Sequence, residues 1–217
     1  MTIGFDALMV IMVLTSLMLL GSSRLAECIR MVAIQGAALG LAPLFSHGHD
    51  IHWHILLLIV GSLLLKAVFF PWMLFRAVRE AHVRREIEPF VGYSTSLVIG
   101  GALLLVAFWL GARLPVTPDG GYFLVVPMSI FMILTGLFII ISRKTALLQV
   151  LGYLVMENGI YLFGVSLVPE QPMTVELGVL LDVFVGVFIM GIMIFHINRE
   201  FDHIDVGRLS TLKDSEP

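Results

Sequence analysis

Charged residues are scarce in this chain of 217 residues, of which only 13% are Asp, Glu, Lys or Arg. A soluble domain carries about 25% charged and about 45–50% apolar residues, whereas 59% of this chain is hydrophobic. So few charges cannot cover a surface in water, which excludes a soluble enzyme, a nucleic-acid binder and a disordered chain. The same scarcity leaves too few polar residues for a large domain outside a membrane.

Cysteine and the common catalytic motifs are also missing or nearly so. Cys28 is the only cysteine, so no disulfide can form within one chain. The sequence has no phosphate-binding loop, haem-binding pair, flavin motif or nucleophile elbow, and we expect no cofactor and no catalytic site. The histidines of residues 47–54 are more typical of a polar loop than of a metal site. No Lys or Arg precedes the first apolar run, so we expect residues 7–21 to belong to a retained helix.

Long apolar runs take the place of the missing charge. Polar breaks divide the chain into seven such segments, and about 20 apolar residues suffice to cross the hydrocarbon core of a bilayer. Backbone polar groups find no water there, so each segment should be helical. The sequence therefore predicts an all-α integral membrane protein with seven transmembrane helices, over residues 3–21, 29–46, 54–75, 92–112, 122–141, 145–168 and 175–198.

The positions of Lys and Arg predict the orientation of these helices. Eleven of the thirteen basic residues fall in the C-terminal tail or in, or within two residues of, the loops after the first, third and fifth helices. Among the loops after even-numbered helices, only the one after the fourth contains a basic residue, Arg113. Because Lys and Arg concentrate on the cytoplasmic side, we expect the N-terminus outside and the C-terminus in the cytoplasm.

A weak internal repeat relates the two ends of the chain. Ser23-Arg24 opens the second helix and Ser142-Arg143 opens the sixth. An offset of four helices gives both units the same orientation, as in the parallel repeats of some transporters. We therefore expect a 3+1+3 arrangement, with a three-helix unit (1–80), a linking helix with its loops (81–121), a second three-helix unit (122–200) and a flexible cytoplasmic tail (201–217).

Three charged side chains fall well inside predicted helices, namely Lys66, Glu157 and Asp182. A Lys or Asp at the centre of a membrane helix costs at least about 2.5 kcal/mol, so such residues are functional candidates. A buried carboxyl suits proton transfer, whereas Lys66 could transfer protons or pair with a carboxylate. The alternative is that each residue only fixes helix packing. The predicted proton path comprises Glu157, Asp182 and Lys66, with His196, Tyr153 and Tyr161 as candidate relays.

The last three predicted helices resemble the K subunit of complex I and the C subunit of multisubunit cation/proton antiporters. The likeness rests on Ser142-Arg143-Lys144 at a turn, on Glu157 in the next helix and on Asp182 in the one after, where Glu is usual. The whole chain is similar to hydrogenase-4 component E in its length, its seven-helix layout and the run LGYLVMENG at 151–159.

This resemblance implies a non-catalytic membrane subunit of a hydrogenase-4-type, formate hydrogenlyase-like or complex I-like redox complex, in the inner membrane of a prokaryote. Its partners would be antiporter-like and other membrane subunits, and its carboxylates would belong to a chain of charged residues that carries protons. Two alternatives stay open, a stand-alone secondary transporter and a purely structural spacer. A substrate-sized polar cavity would favour the transporter, whereas intact pumping after neutralisation of Glu157 would favour the spacer.

Overall fold

The computed structural model describes residues 2–46, 60–61, 63–80, 89–114, 124–167 and 191. Within these residues the chain forms α-helices and one π-helical turn, and no β-strand. The elements are α1 (Thr2–Gly21), α2 (Leu25–Ser46), π1 (Leu65–Phe69), α3 (Phe70–Glu80), α4 (Tyr93–Gly111), α5 (Val125–Ser142) and α6 (Ala146–Leu167). The seventh predicted span, 175–198, lies outside the described residues.

Three of the described helices are long and apolar enough to cross a membrane, and one more is apolar but shorter. The three are Tyr93–Gly111, Val125–Ser142 and Ala146–Gly164, and the shorter one is Asp6–Gly21. The bounds of α4, α5 and α6 lie within three residues of the predicted spans. The prediction of an all-α protein with membrane-crossing helices is confirmed to this extent, while the count of seven and the orientation stay predictions.

Helix α2 is continuous, although two glycines and a proline interrupt its apolar sequence. The glycines serve packing, because a Cβ at Gly36 would lie 2.8 Å from Cβ of Lys66. A Cβ at Gly40 would lie 3.1 Å from Cδ1 of Leu63. Gly36 thus faces Lys66, and Gly40 faces Leu63, which comes earlier in the chain. The third predicted span therefore runs antiparallel to α2.

The third predicted span is helical but not uniform. Its π-helical turn, π1, is closed by the N–H of Phe70, which donates to the carbonyl of Leu65. Pro71 follows directly, and a proline has no N–H to donate to the carbonyl four residues earlier. The wider turn therefore stands where the regular hydrogen-bond ladder is interrupted. Helix α3 then continues to Glu80, past the predicted end at residue 75, because hydropathy detects the hydrocarbon core and not the charged helical turn that follows it.

Helices α5 and α6 form the closest helix pair among the described elements. A Cβ at Gly136 would lie 2.5 Å from the carbonyl oxygen of Gly152, and one at Gly159 would lie 2.8 Å from the backbone nitrogen of Ile133. The absence of side chains at these positions lets the two backbones meet, as is common between membrane helices. Helix α6 is therefore held firmly along its length by α5.

One end of the bundle is held together by Arg143, which lies between α5 and α6. Its side chain is only 1% exposed, and Nη2 donates to the carbonyl of Leu20 at 2.7 Å. The guanidinium also lies 3.5 Å from Oγ of Ser96 and from the carbonyl of Val91, and 4.5 Å from the ring centre of Tyr93. Arg143 thus joins the end of α1, the start of α4 and the α5–α6 turn at one end of the bundle, the Arg143 face.

The turn between α1 and α2 lies at the same face. Arg24 Nη1 is 3.0 Å from Oε1 of Glu27, and Oγ of Ser22 donates to Oε2 of Glu27 at 3.0 Å. The hydrogen bonds from Ser22 and then Arg24 hold the pKa of Glu27, which precedes the predicted span, below its usual range. The described parts of the loops after the first, third and fifth predicted helices therefore lie together at the Arg143 face. The pattern of Lys and Arg predicts that these three loops lie on the same side of the membrane.

Candidate functional site

Lys66 and Glu157 form a buried ion pair between π1 and α6. Nζ of Lys66 lies 2.8 Å from Oε1 of Glu157 and donates to Oδ1 of Asn158 at 3.2 Å. The side chains of Lys66 and Glu157 are 6% and 1% exposed. The ammonium also lies 5.4 Å from the ring centre of Tyr161, one turn further along α6. The structure thus joins two of the three charged residues that the sequence predicts for a proton path.

Two local features place Lys66 in this position. It lies in π1, where the helix is wider than a regular α-helix and precedes Pro71. Gly36 of α2 faces it, and a Cβ there would lie 2.8 Å from Cβ of Lys66 and 3.1 Å from its carbonyl oxygen. Because glycine leaves this space open, π1 approaches α2 closely and Lys66 reaches α6 beyond it.

Glu157 lies near the middle of α6, which is twenty-two residues long. At about 1.5 Å per residue, Glu157 is about 16 Å along the helix from Ala146 at the Arg143 face. The hydrocarbon core of a bilayer is about 30 Å thick, so Glu157 lies near the middle of a helix long enough to cross it.

The ion pair is stable only while both partners keep their charges. A lone charge at this depth is expensive, because neither water nor a counter-charge compensates its desolvation. A proton gained by the carboxylate would remove the attraction between Glu157 and Lys66 and change the contacts of both. The pair can therefore couple protonation to helix packing, and it can also act simply as a link between π1 and α6.

A small cavity adjoins the ion pair. Its volume is about 10 Å³, which is near the minimum space that one water molecule requires. The cavity is lined by the ion pair, by Asn158 and by residues of α2, α3 and α6, namely Ile29, Val32, Gly36, Phe70, Pro71, Leu74 and Leu154. This cavity is far too small for an organic substrate, so it gives the stand-alone transporter no support.

Related proteins identify the family of the chain. It is 33% identical over 204 residues to the uncharacterized protein Rv0085 of Mycobacterium tuberculosis, a match that covers 94% of this chain and 93% of that protein. The chain belongs to the Rv0085 family. No family model matches it, and no solved structure matches it significantly.

A second similarity is shorter. The Rv0085-family chain is 36% identical over 80 residues to hydrogenase-4 component E of Escherichia coli and of Shigella flexneri. The match covers 37% of this chain and 37% of each of those proteins. The expected resemblance to hydrogenase-4 component E is therefore confirmed as a distant relation over part of the chain. The chain is similar to Rv0085, by contrast, over 94% of its residues.

The remaining predicted site residues of this Rv0085-family chain divide into two groups. Tyr153 and Tyr161 lie half-buried on α6, one turn before and one turn after Glu157. Asp182 and His196 lie outside the described residues, as does the histidine-rich segment 47–54. In the described part of the chain, no three His, Cys, Asp or Glu side chains come together as a metal site.

Sequence reasoning missed a buried polar contact between α1 and α2. Nε2 of Gln35 donates to Oγ of Ser16 at 2.9 Å and to the carbonyl of Met12 at 3.4 Å. Oε1 of Gln35 has no hydrogen-bond partner among the described residues. The available signal was that Gln35 is the only amide side chain in the predicted span 29–46.

Sequence reasoning also missed the role of Arg143. The pattern of basic residues and the family motif both included it, but only as a residue of a loop exposed to the cytoplasm. The structure buries it and makes its guanidinium the common partner of three elements. The available signal was the shortness of the turn, since three residues between two long apolar helices leave an arginine close to both.

Proposed function

We propose that this member of the Rv0085 family is a non-catalytic membrane-arm subunit of a hydrogenase-like or complex I-like redox complex, and that its Lys66–Glu157 pair takes part in proton translocation. The similarity to hydrogenase-4 component E supports membership in such a complex. The apolar helices support a membrane location, which we assign to the inner membrane of a prokaryote. The partners in this proposal are antiporter-like and other membrane subunits.

The observation that carries the proposal is a charged pair about halfway through the predicted membrane. Two charges are not needed to join two helices, because apolar side chains of similar volume often stabilise a buried contact equally well or better. Ionisable residues at this depth commonly belong to ion or proton pathways. The Lys66–Glu157 pair is therefore better explained by a proton-linked role than by packing alone.

Each residue has a distinct role in the proposed path. Glu157 binds and releases the proton, and Lys66 stabilises its charged form at a distance of 2.8 Å. Tyr161 lies next to the ammonium and is a candidate relay. We propose that Asp182 provides a second carboxylate and His196 a further relay.

Purification from the native membrane tests membership in a complex. The chain is extracted in mild detergent, and the proteins that accompany it are identified by mass spectrometry. We expect antiporter-like membrane subunits together with the subunits of a nickel-iron hydrogenase or of another redox enzyme. A clean monomer or homodimer would contradict the subunit assignment.

Glu157→Gln tests the proton-translocating role in the assembled complex. Proton pumping is measured in inverted membrane vesicles with the electron donor that the co-purified subunits indicate. We expect pumping to fall to background while the complex remains assembled, because Gln cannot bind and release a proton. The matched control is Glu27→Gln, which neutralises a more exposed carboxylate at the Arg143 face and should leave pumping unchanged. Normal pumping in an assembled Glu157→Gln complex would favour the structural spacer.

A further inference from the structure

We propose, on the basis of the proposed function, that the cavity beside Lys66 and Glu157 is a water site through which the pair exchanges protons with the Arg143 face alone. The cavity lies at the junction of α2, α3 and α6, with the ion pair as part of its lining. The position of each lining residue along its helix shows in which direction the cavity extends.

On α2, the cavity is lined by Gly36 and by two residues on the Arg143 side of the pair. Gly36 lies level with Lys66, which its backbone contacts. Ile29 and Val32 precede Gly36 in a helix that begins at the Arg143 face with Leu25. They lie about 10 Å and about 6 Å nearer to that face than Gly36, at about 1.5 Å per residue.

The other two helices show the same direction. The third segment is antiparallel to α2, so Phe70, Pro71 and Leu74, which follow Lys66, lie on its Arg143 side. Helix α6 begins at the Arg143 face, and Leu154 precedes Glu157. Every apolar residue that lines the cavity in the described part of the chain is thus nearer to the Arg143 face than the ion pair.

On the opposite side of the pair, the helices are closely packed. A Cβ at Gly40 would lie 3.1 Å from Leu63, so α2 and the third segment are in contact there. Leu39 of α2 and Leu162 of α6 are only 2% and 1% exposed. Neither Leu39 nor Leu162 lines the cavity, so in the described part of these two helices the cavity does not extend beyond the pair.

The inner end of the cavity has the groups that a water molecule needs. Lys66 supplies an ammonium, Glu157 a carboxylate and Asn158 an amide, and a buried water usually makes about three hydrogen bonds. A hydronium ion formed there transfers one proton to a carboxylate oxygen of Glu157, which leaves one water molecule and a neutral carboxylic acid. The ion pair with Lys66 is then lost, and the reverse transfer restores it.

Silver-ion protection of single cysteines tests access from one side. In a Cys28→Ser background, Val32→Cys and Leu154→Cys place a thiol on the cavity, and Leu39→Cys and Leu162→Cys place a thiol beyond the pair on the same two helices. All four native residues are at most 5% exposed, so the two sets are matched in burial. Ag⁺ is added to sealed inverted or right-side-out vesicles, the reaction is quenched, and the remaining thiols are counted with a maleimide after denaturation. Ser23→Cys, labelled by an impermeant maleimide, identifies the vesicles whose Arg143 face is outward.

We expect Ag⁺ added at the Arg143 face to react with the two cavity cysteines about tenfold faster than with the two others, because thiol reactivity depends on access to water. Equal rates in the two sets, or faster reaction beyond the pair, would overturn the water site. Either helix provides a complete comparison, so one unstable variant does not remove the test. The result is independent of pumping, and normal pumping by Glu157→Gln would contradict the proposed function without changing the silver result.

Discussion

Lys66 and Glu157 are 91 positions apart in the sequence, yet their side-chain nitrogen and oxygen lie 2.8 Å apart in the bundle. Lys66 belongs to the first predicted three-helix unit and Glu157 to the second. The ion pair therefore connects the two predicted units near the middle of α6. Because the side chains of Lys66 and Glu157 are only 6% and 1% exposed, each charge is stabilised by the other.

Removing one partner of this pair should destabilise the protein more than removing both. Lys66→Met leaves a buried carboxylate and Glu157→Leu leaves a buried ammonium, and breaking a buried ion pair typically costs about 3–5 kcal/mol. The double variant leaves no uncompensated charge and should recover most of this loss. The free energies of unfolding of all four proteins, measured by denaturation in mixed micelles, give the coupling between the two residues. A double variant as unstable as the sum of the two single variants would contradict the pairing.

Gly36 should tolerate no side chain, because π1 lies against it. Gly36→Ala places a Cβ 2.8 Å from Cβ of Lys66 and should destabilise the protein by about 1–3 kcal/mol, the usual cost of overpacking. The control is Gly101→Ala in α4, where no atom lies within 4 Å of the added Cβ. There the higher helix propensity of Ala should leave stability unchanged or raised. Equal effects of the two substitutions on thermal unfolding in detergent would contradict the close approach at Gly36.

Hydropathy predicted the membrane helices because their apolar composition is a local property of the sequence. The described bounds of α4, α5 and α6 agree with the predicted spans within three residues. The continuity of α2 was harder to predict, since glycine and proline usually mark breaks in a helix. In this protein the glycines of α2 provide space for a neighbouring helix, and that depends on contacts which the local sequence does not show.

The candidate site could be predicted only as a set of residues and not as a geometry. The cost of charge in hydrocarbon identified Lys66 and Glu157, and the prediction also allowed Lys66 to pair with a carboxylate. Nothing in the sequence showed that Glu157 lies within hydrogen-bond distance of Lys66. That contact depends on Gly36 and on the π-helical turn, which set the position of Lys66 through contacts between distant segments.

Arg143 should be needed for stability, whereas its neighbour Lys144 should not. Arg143→Lys keeps the charge but loses the planar group that reaches Leu20, Ser96 and Val91, and hydrogen bonds to charged groups contribute about 1.5–3 kcal/mol each. We expect a loss of at least about 2 kcal/mol. Lys144→Ala removes an exposed cation whose Nζ lies 5.1 Å from the ring centre of Phe90, and it should change stability by less than about 1 kcal/mol. Similar stability of the two variants in thermal unfolding would show that the Arg143 face does not depend on the guanidinium.

Cys28, in the first turn of α2, should react slowly with maleimides and should show an unusual dependence on pH. Burial raises the pKa of the Cys28 thiol to about 11 from an ordinary value of 9.0, so the reactive thiolate is ~100-fold scarcer at pH 8. Its labelling rate should still rise from pH 9 to pH 10. Ser23→Cys in a Cys28→Ser background is the control, and its rate should level off between pH 9 and pH 10. A Cys28 rate that levels off at the same pH would contradict the burial of this thiol beneath the α1–α2 turn.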